Sequence, residues 1–329
     1  MTEINKKLWM SAKELLDSEI KKPEWLVENL IAEGGIVLFG GEPASFKSYL
    51  ALIIAVFGAN EMKILDTFKT KKFRTLIIDE ENRLPRIKER LIKIIKGEEI
   101  ENENMEIYFI ANQGFKFDYM YSGQKKQIEK VLNEIKPDLV ILDSMVRMML
   151  GDENSSKDVR RIFDNIKSLN LIHNCAWLLL HHTRKTLGNS SKIGLDLRGS
   201  GDFMAMADEV IMLNRKNKNE FVLSKHKCRD GDEINSIGFV VFNNPEGGIC
   251  IDNVFEEQEE AKLPIEVNIE NIVNWIEREK ITEFRTKQIR DILKDIPYQS
   301  LTNALNEMVK GTHKKLKRIV KGKYQVIQT

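Results

Sequence analysis

Residues 35–48 read Gly35-Ile36-Val37-Leu38-Phe39-Gly40-Gly41-Glu42-Pro43-Ala44-Ser45-Phe46-Lys47-Ser48. A continuous apolar run breaks into a tight loop that ends in a lysine and a hydroxyl. Behind it, Tyr49-Leu50-Ala51-Leu52-Ile53-Ile54-Ala55-Val56 carries a helical apolar pattern. Strand, loop, lysine, hydroxyl, helix is the order that a phosphate-binding P-loop requires. The expected phosphate cradle is Gly41, Glu42, Pro43, Ala44, Ser45, Phe46, Lys47, Ser48 and Tyr49. Backbone N–H groups of such a loop point at the phosphates, and the dipole of the following helix favours negative charge there. Lys47 is expected to reach the β- and γ-phosphates of ATP, and Ser48 to hold Mg²⁺.

The P-loop pattern is G-x-x-x-x-G-K-[ST]. Gly41, Lys47 and Ser48 fit it, while Phe46 replaces the second glycine. A bulky residue at positive φ is strained, so the loop is expected to hold Phe46 at negative φ.

At 329 residues the chain exceeds one average domain, and two domains are expected. Charged residues make up 31%, yet the net charge is only +1, so the overall balance names no partner. Cys175, Cys228 and Cys250 are odd in number, far apart and without C-x-x-C spacing. That argues against a disulfide framework or a zinc site and for a reducing compartment. No apolar run has the length of a membrane span, and no signal peptide is read at the start. The expectation is a cytoplasmic protein.

Ahead of the P-loop, Ser11 is expected to cap a short helix from Ala12 to Ile20. Trp25 reads as a packing anchor, with contact to a nucleotide base as the alternative. Downstream, Phe73-Arg74-Thr75-Leu76-Ile77-Ile78 is a buried-strand pattern ending in Asp79-Glu80-Glu81-Asn82. Carboxylates at the carboxyl end of a core strand sit where open α/β sheets place their chemistry, and one could orient or deprotonate water. Arg83 to Lys96 reads as a basic amphipathic helix. The run Leu139-Val140-Ile141-Leu142-Asp143 has the form of a Walker B strand, whose aspartate holds Mg²⁺. Another apolar strand, Cys175 to Leu180, ends in His181-His182-Thr183-Arg184-Lys185. Adjacent side chains on a strand face opposite ways, so a paired-histidine metal site is disfavoured. From Arg184 to Ser200 the chain is a basic loop rich in Gly, Asn and Ser, with Lys185 and Lys192. Strand patterns follow to Asp252, with bases gathered at Lys225 to Gly231. Alternating strands and helices predict a mostly parallel sheet with helices on both faces.

Residues 254–264 are a charged linker, which sets the expected domains at 1–253 and 265–329. The last segment has three helical patterns, Ile269 to Glu279, Thr286 to Leu293 and Pro297 to Gly311. A hairpin pattern flanking Lys321-Gly322-Lys323 follows. Three helices and a hairpin describe a small winged helix. Lys310, Lys314, Lys315, Lys317, Arg318, Lys321 and Lys323 occur with no acid among residues 310–323, which favours contact with nucleic acid.

Several of these stretches together resemble the RecA-like P-loop ATPases of the AAA_25 group, which includes plasmid RepA-type hexameric helicases. The resemblance covers about residues 10–253. It rests on Glu24-Trp25-Leu26-Val27, Gly41 to Ser48, Ile78 to Asn82, Leu142-Asp143-Ser144, Asp152 to Ser155, His181-His182-Thr183, Arg198-Gly199-Ser200 and Lys225 to Gly231. It implies an α/β RecA-like core in which Lys47 and Ser48 bind phosphate and Mg²⁺ and Asp143 completes the metal shell. The catalytic glutamate is implied at Glu81, with Glu80 as its alternative. The γ-phosphate sensor is implied at His182 or His181. Lys227 and Arg229 resemble a K-x-R pair inserted into the neighbouring subunit's site. The loop from Arg184 to Leu197 takes the place of a channel loop that touches DNA.

These readings together lead to the expectation of an ATP-hydrolysing DNA motor that forms a hexameric ring, a replicative helicase acting on single-stranded DNA, with duplex DNA as a further partner of the winged helix. The rival is an ATP-switched oligomeric DNA-binding regulator that does not unwind. A small-molecule P-loop kinase is weaker, because it leaves the winged helix, Lys227 and Arg229 without a role.

Overall fold

The computed structural model describes residues 9–20, 24–100, 105–118, 122–183, 201–229, 231, 236–256, 264–286, 288–289, 293, 298–310, 316–320 and 323–327. The chain divides into two compact units, Met1–Glu257 and Gln258–Thr329.

The first unit opens with α1 (Ala12–Leu16), shorter than the helix to Ile20 that the sequence predicts. Ser11 and Glu14 close a reciprocal capping box at its start. A small hairpin, β1 (Trp25–Val27) and β2 (Ile31–Ala32), precedes the P-loop strand β3 (Ile36–Gly41) and its helix α2 (Lys47–Ala59). Then come β4 (Thr75–Asp79), α3 (Leu84–Gly97), β5 (Ile107–Ala111), α4 (Ser122–Ile135), β6 (Leu139–Asp143), α5 (Ser156–His173) and β7 (Ala176–His182). The unit ends with α6 (Asp202–Met206), β8 (Glu209–Arg215), β9 (Glu220–Lys227), β10 (Ile237–Asn243) and β11 (Ile249–Glu256). β11 therefore continues into the first residues of the predicted linker.

One nine-stranded sheet organises the unit, in the order β11-β10-β9-β8-β3-β7-β6-β4-β5. The six strands from β8 to β5 are parallel, and β9, β10 and β11 run antiparallel to their neighbours. β3, β4 and β6 are aliphatic runs buried on both faces, as the interior of a parallel sheet requires. The core lies on both sides of the sheet. One cluster packs α2 and Ile94 of α3 against Val37, Phe39 and Leu180, while the other packs α4 and α5 against Leu38, Leu142 and Trp177. Each fully buried Leu, Ile or Val contributes roughly 1.5–3 kcal/mol. α2 is buried on nearly every side, and Gly58 within it has a specific cause. A Cβ there would lie 1.9 Å from the Phe73 ring, so only glycine lets the strand lead-in cross the helix. Among the described residues no helix is long and apolar enough to cross a membrane.

The second unit contains α7 (Pro264–Arg278), β12 (Glu283–Arg285), α8 (Tyr298–Lys310), β13 (Leu316–Val320) and β14 (Lys323–Val326). Its three strands form a sheet in the order β12-β14-β13. Trp275, Phe284, Leu305 and Tyr324 fill its own apolar core. Half of the predicted second helix, Thr286 to Leu293, lies outside the described residues.

Candidate active site

The carboxyl ends of β3, β7, β6 and β4 stand side by side. Gly41 is level with His182, and Asp79 is level with Asp143. The strand that ends in His182 lies between the P-loop strand and the Asp143 strand. Open α/β sheets bind ligands in the crevice beyond such ends. Here the crevice is a cleft of about 410 Å³ that brings together Ala44 to Tyr49, Glu81, Asp143, Ser144 and His182.

Lys47 is buried at the base of the cleft. Its ammonium donates to the carbonyls of Gly41 at 2.8 Å and Glu42 at 2.6 Å. Burial pushes its pKa down to about 8, although Asp143 and Glu81 favour its charge. Gly41 is a steric necessity, since a Cβ there would stand 2.6 Å from the Leu213 carbonyl oxygen and 2.8 Å from Ser45 Oγ.

Phe46 departs from its expected backbone. It adopts φ 73°, the left-handed region that the usual glycine of this loop reaches without penalty. The loop geometry prevails over the side chain's preference, at a cost on the order of 1–3 kcal/mol. The ring is held by its neighbours. It stacks on Tyr49 at 4.9 Å with planes 1° apart, and leans on Phe221 at 5.3 Å.

Asp143 is buried, and burial together with the Asp79 carboxylate pushes its pKa up to about 7, against a hydrogen bond from Ser48. Burial raises Asp79 also, although the N–H groups of Glu81 and Asn82 donate to its Oδ1 at 2.8 and 2.6 Å. Two buried carboxylates with a hydroxyl beside them form an oxygen donor set. This fits Mg²⁺ held by Ser48 and Asp143.

The tandem acids and tandem histidines part company. Glu81 faces the cleft, and His182 Nε2 lies 3.8 Å from its Oε2. That imidazole is the main cause that holds Glu81 below the usual carboxylate range. Glu80, the alternative catalytic acid, turns away. Its carboxylate accepts the N–H groups of Gln113, Gly114 and Phe115 at 3.0–3.2 Å, which ties the turn after β4 to the loop after β5. His181, the alternative sensor, is fully buried on the other face of β7 and stacks on Phe203 at 4.3 Å. The period of two along a strand separates these neighbours.

Arg86, Arg90 and Asn82 line the cleft as well and were not singled out in the sequence. Arg86 and Arg90 are four residues apart on α3, so they share a face, and Arg90 lies over the Tyr49 ring at 4.9 Å. The signal was present as the i, i+4 spacing in a helix read only as basic. Arg90→Ala is expected to weaken ATP binding roughly tenfold or more, the loss of one charge-assisted contact to phosphate, as measured by titration with a fluorescent ATP analogue.

Lys227 and Arg229 lie at the opposite end of the sheet. Lys227 Nζ donates to the carbonyls of Met204, Ala205 and Ala207 at 2.7–2.9 Å, around the end of α6. Arg229 pairs with Asp208 at 2.8 Å. Asp208 in turn is bonded to the backbone of Ile36, where β3 begins. The P-loop leaves β3 at its other end, roughly 17 Å away at about 3.3 Å per residue. Trp25 belongs to this far end as well. Its ring lies 5.5 Å from Lys225 Nζ, so contact with the base of a nucleotide in the cleft is excluded.

Arg184, Lys185, Lys192, Lys314, Lys315 and Lys321 lie outside the described residues. Lys317 and Arg318 are on β13, with Lys317 exposed. Lys323 is less available than the one-sign run suggests, since it is half-buried and pairs with Glu283 of the adjacent strand at 2.6 Å.

The family model of the AAA domain, AAA_25, matches residues 5–188. Among solved structures, a crystal structure of the RadB recombinase is similar, at 16% identity and a TM-score of 0.48, over 68% of this chain and 93% of that one. The comparison with curated proteins finds no match. With the P-loop, the Asp143 strand and the intervening His182 strand inside the matched region, the chain belongs to the AAA_25 family of AAA-domain ATPases.

Proposed function

We propose that this ATPase is a ring-forming DNA motor, a replicative helicase of the plasmid or phage RepA type that moves on single-stranded DNA as a hexamer. The observation that carries this reading is the place of Arg229. It stands at the end of the sheet away from its own P-loop, so any phosphate it serves belongs to a neighbouring subunit. A closed ring satisfies that requirement for every subunit at once.

Within one site, Lys47 and the loop N–H groups hold the phosphates, and Ser48 and Asp143 hold Mg²⁺. Mg²⁺ held by these two residues would supply charge neutralisation for the phosphate oxygens. Glu81 positions the attacking water. Its lowered pKa keeps it ionised and makes it a weak base, which suits a reaction dominated by positioning and electrostatics. His182, between the P-loop and Glu81, senses the γ-phosphate. The basic loop from Arg184 to Leu197 tracks the strand through sequence-tolerant phosphate contacts. The test is ATPase rate with and without single-stranded DNA, beside unwinding of a forked duplex and a mass measurement with and without nucleotide. Stimulation and unwinding are expected; an ATPase indifferent to DNA with no unwinding would overturn the motor.

The second reading, an ATP-switched regulator that recognises duplex DNA, is favoured by the second unit. Its two described helices, short strand and hairpin share one core, which supports the winged-helix reading. Removing residues 258–329 is expected to leave ATP turnover within about twofold and to lower duplex affinity at fixed salt by roughly tenfold or more, since the unit has its own core. Unchanged affinity in a filter-binding assay would make the basic hairpin a solvated surface.

A further inference from the structure

The turn that presents Arg229 is anchored from inside the protein. Glu209, the first residue of β8, is fully buried together with Lys225 of β9, and their charged groups meet at 2.8 Å. The other carboxylate oxygen of Glu209 accepts the backbone N–H of Arg229 at 3.3 Å. Lys225 also donates to the carbonyl of Asn29 at 2.6 Å. The Trp25 ring covers Lys225 and packs against the same turn further on, where a Cβ added to Gly231 would fall 2.8 Å from it. Asp208, beside Glu209, takes the Arg229 side chain from the surface. One buried carboxylate thus joins three segments, the β1–β2 hairpin, β9 and the Arg229 turn. Two charges are withdrawn from water where an apolar pair would pack as well, and a buried ion pair is often no gain in stability over such a pair. Its geometric consequence is a fixed backbone at Arg229.

We propose that Glu209, with Lys225 and Trp25, is a positioning device for Arg229 that sets the reach of this arginine into the next subunit's nucleotide site. The proposal rests on the reading of Arg229 as an arginine that acts in trans. A side chain delivered across an interface has no covalent path to the phosphate it serves. Its accuracy comes from its own backbone, and a displacement of 1 Å can lower a rate by about 10²-fold.

The test uses mixed oligomers of the full chain. Lys47→Ala subunits lack a working pocket and supply Arg229, while Arg229→Ala subunits supply the pocket. The pair Glu209→Leu and Lys225→Met, which replaces two charges by apolar groups of similar size, is placed in one partner at a time. Glu209→Gln is the second variant, for use if the apolar pair loses its cooperative thermal melt. In the subunit that supplies Arg229, the change is expected to lower the recovered ATP turnover by about 10²-fold while nucleotide affinity stays unchanged. In the subunit that supplies the pocket, it is expected to leave recovery intact. A general loss of structure would not show this direction. Equal effects in both partners, or none in either, would overturn the positioning role while the trans arginine stands. Normal turnover by Arg229→Ala alone would overturn the trans reading, and the positioning role with it.

Discussion

Arg229→Ala is expected to lower ATP turnover by about 10³- to 10⁵-fold, the typical worth of an arginine delivered to a neighbour's γ-phosphate. Nucleotide affinity should change little, because the P-loop, Ser48 and Asp143 are at the other end of the sheet. The competing account is a surface pair with Asp208, half-exposed on the arginine side and worth under about 1 kcal/mol. Such a pair would leave turnover near normal, so the two accounts differ by orders of magnitude in one assay. If Arg229 acts in trans as proposed, its release from Asp208 should cost little, because the ion pair is exposed on the arginine side. Mixing Arg229→Ala with Lys47→Ala should recover part of the hydrolysis, since an intact pocket can then face an intact arginine. Mixed oligomers that form and recover nothing would exclude a shared site at this residue.

Glu81→Gln is expected to keep ATP binding and lower turnover by about 10²- to 10⁴-fold, because an amide cannot accept or strongly orient the water proton. Glu80→Gln should behave differently. Its carboxylate is engaged with three backbone N–H groups of the loop after β5, so the amide should loosen that loop and leave most turnover. Steady-state rates of the two variants, beside their affinities for a fluorescent ATP analogue, separate the roles. If Glu80→Gln is inactive and Glu81→Gln works normally, the catalytic assignment must move one residue back.

Much of the nucleotide site was legible locally. Lys47, Ser48 and Asp143 are recognisable because each follows a buried aliphatic run, and a run of that kind determines where a strand ends and which residues stand at its mouth. The same argument predicts the mostly parallel sheet with helices on both faces. It stops at tandem residues. Glu80-Glu81 and His181-His182 are equivalent by composition, and the strand period says only that neighbours face opposite ways. It does not say which face holds the cleft.

The sequence by itself determined the P-loop, the aliphatic strand that ends in Asp143 and the amphipathic character of α3, because those depend on local pattern and composition. Tertiary structure decided the rest. It turned Glu81 and His182 to the cleft by placing β7 beside β3 and β4 beyond β6, and it brought Arg86 and Arg90 to the cleft by docking α3. It set Phe46 at positive φ, where the loop's hydrogen-bonding geometry and the stack with Tyr49 and Phe221 outweigh the residue's own preference. It also put Arg229 beyond reach of its own phosphate site. That distance follows from β9 running antiparallel to β8, a pairing between strands that no single stretch of sequence contains.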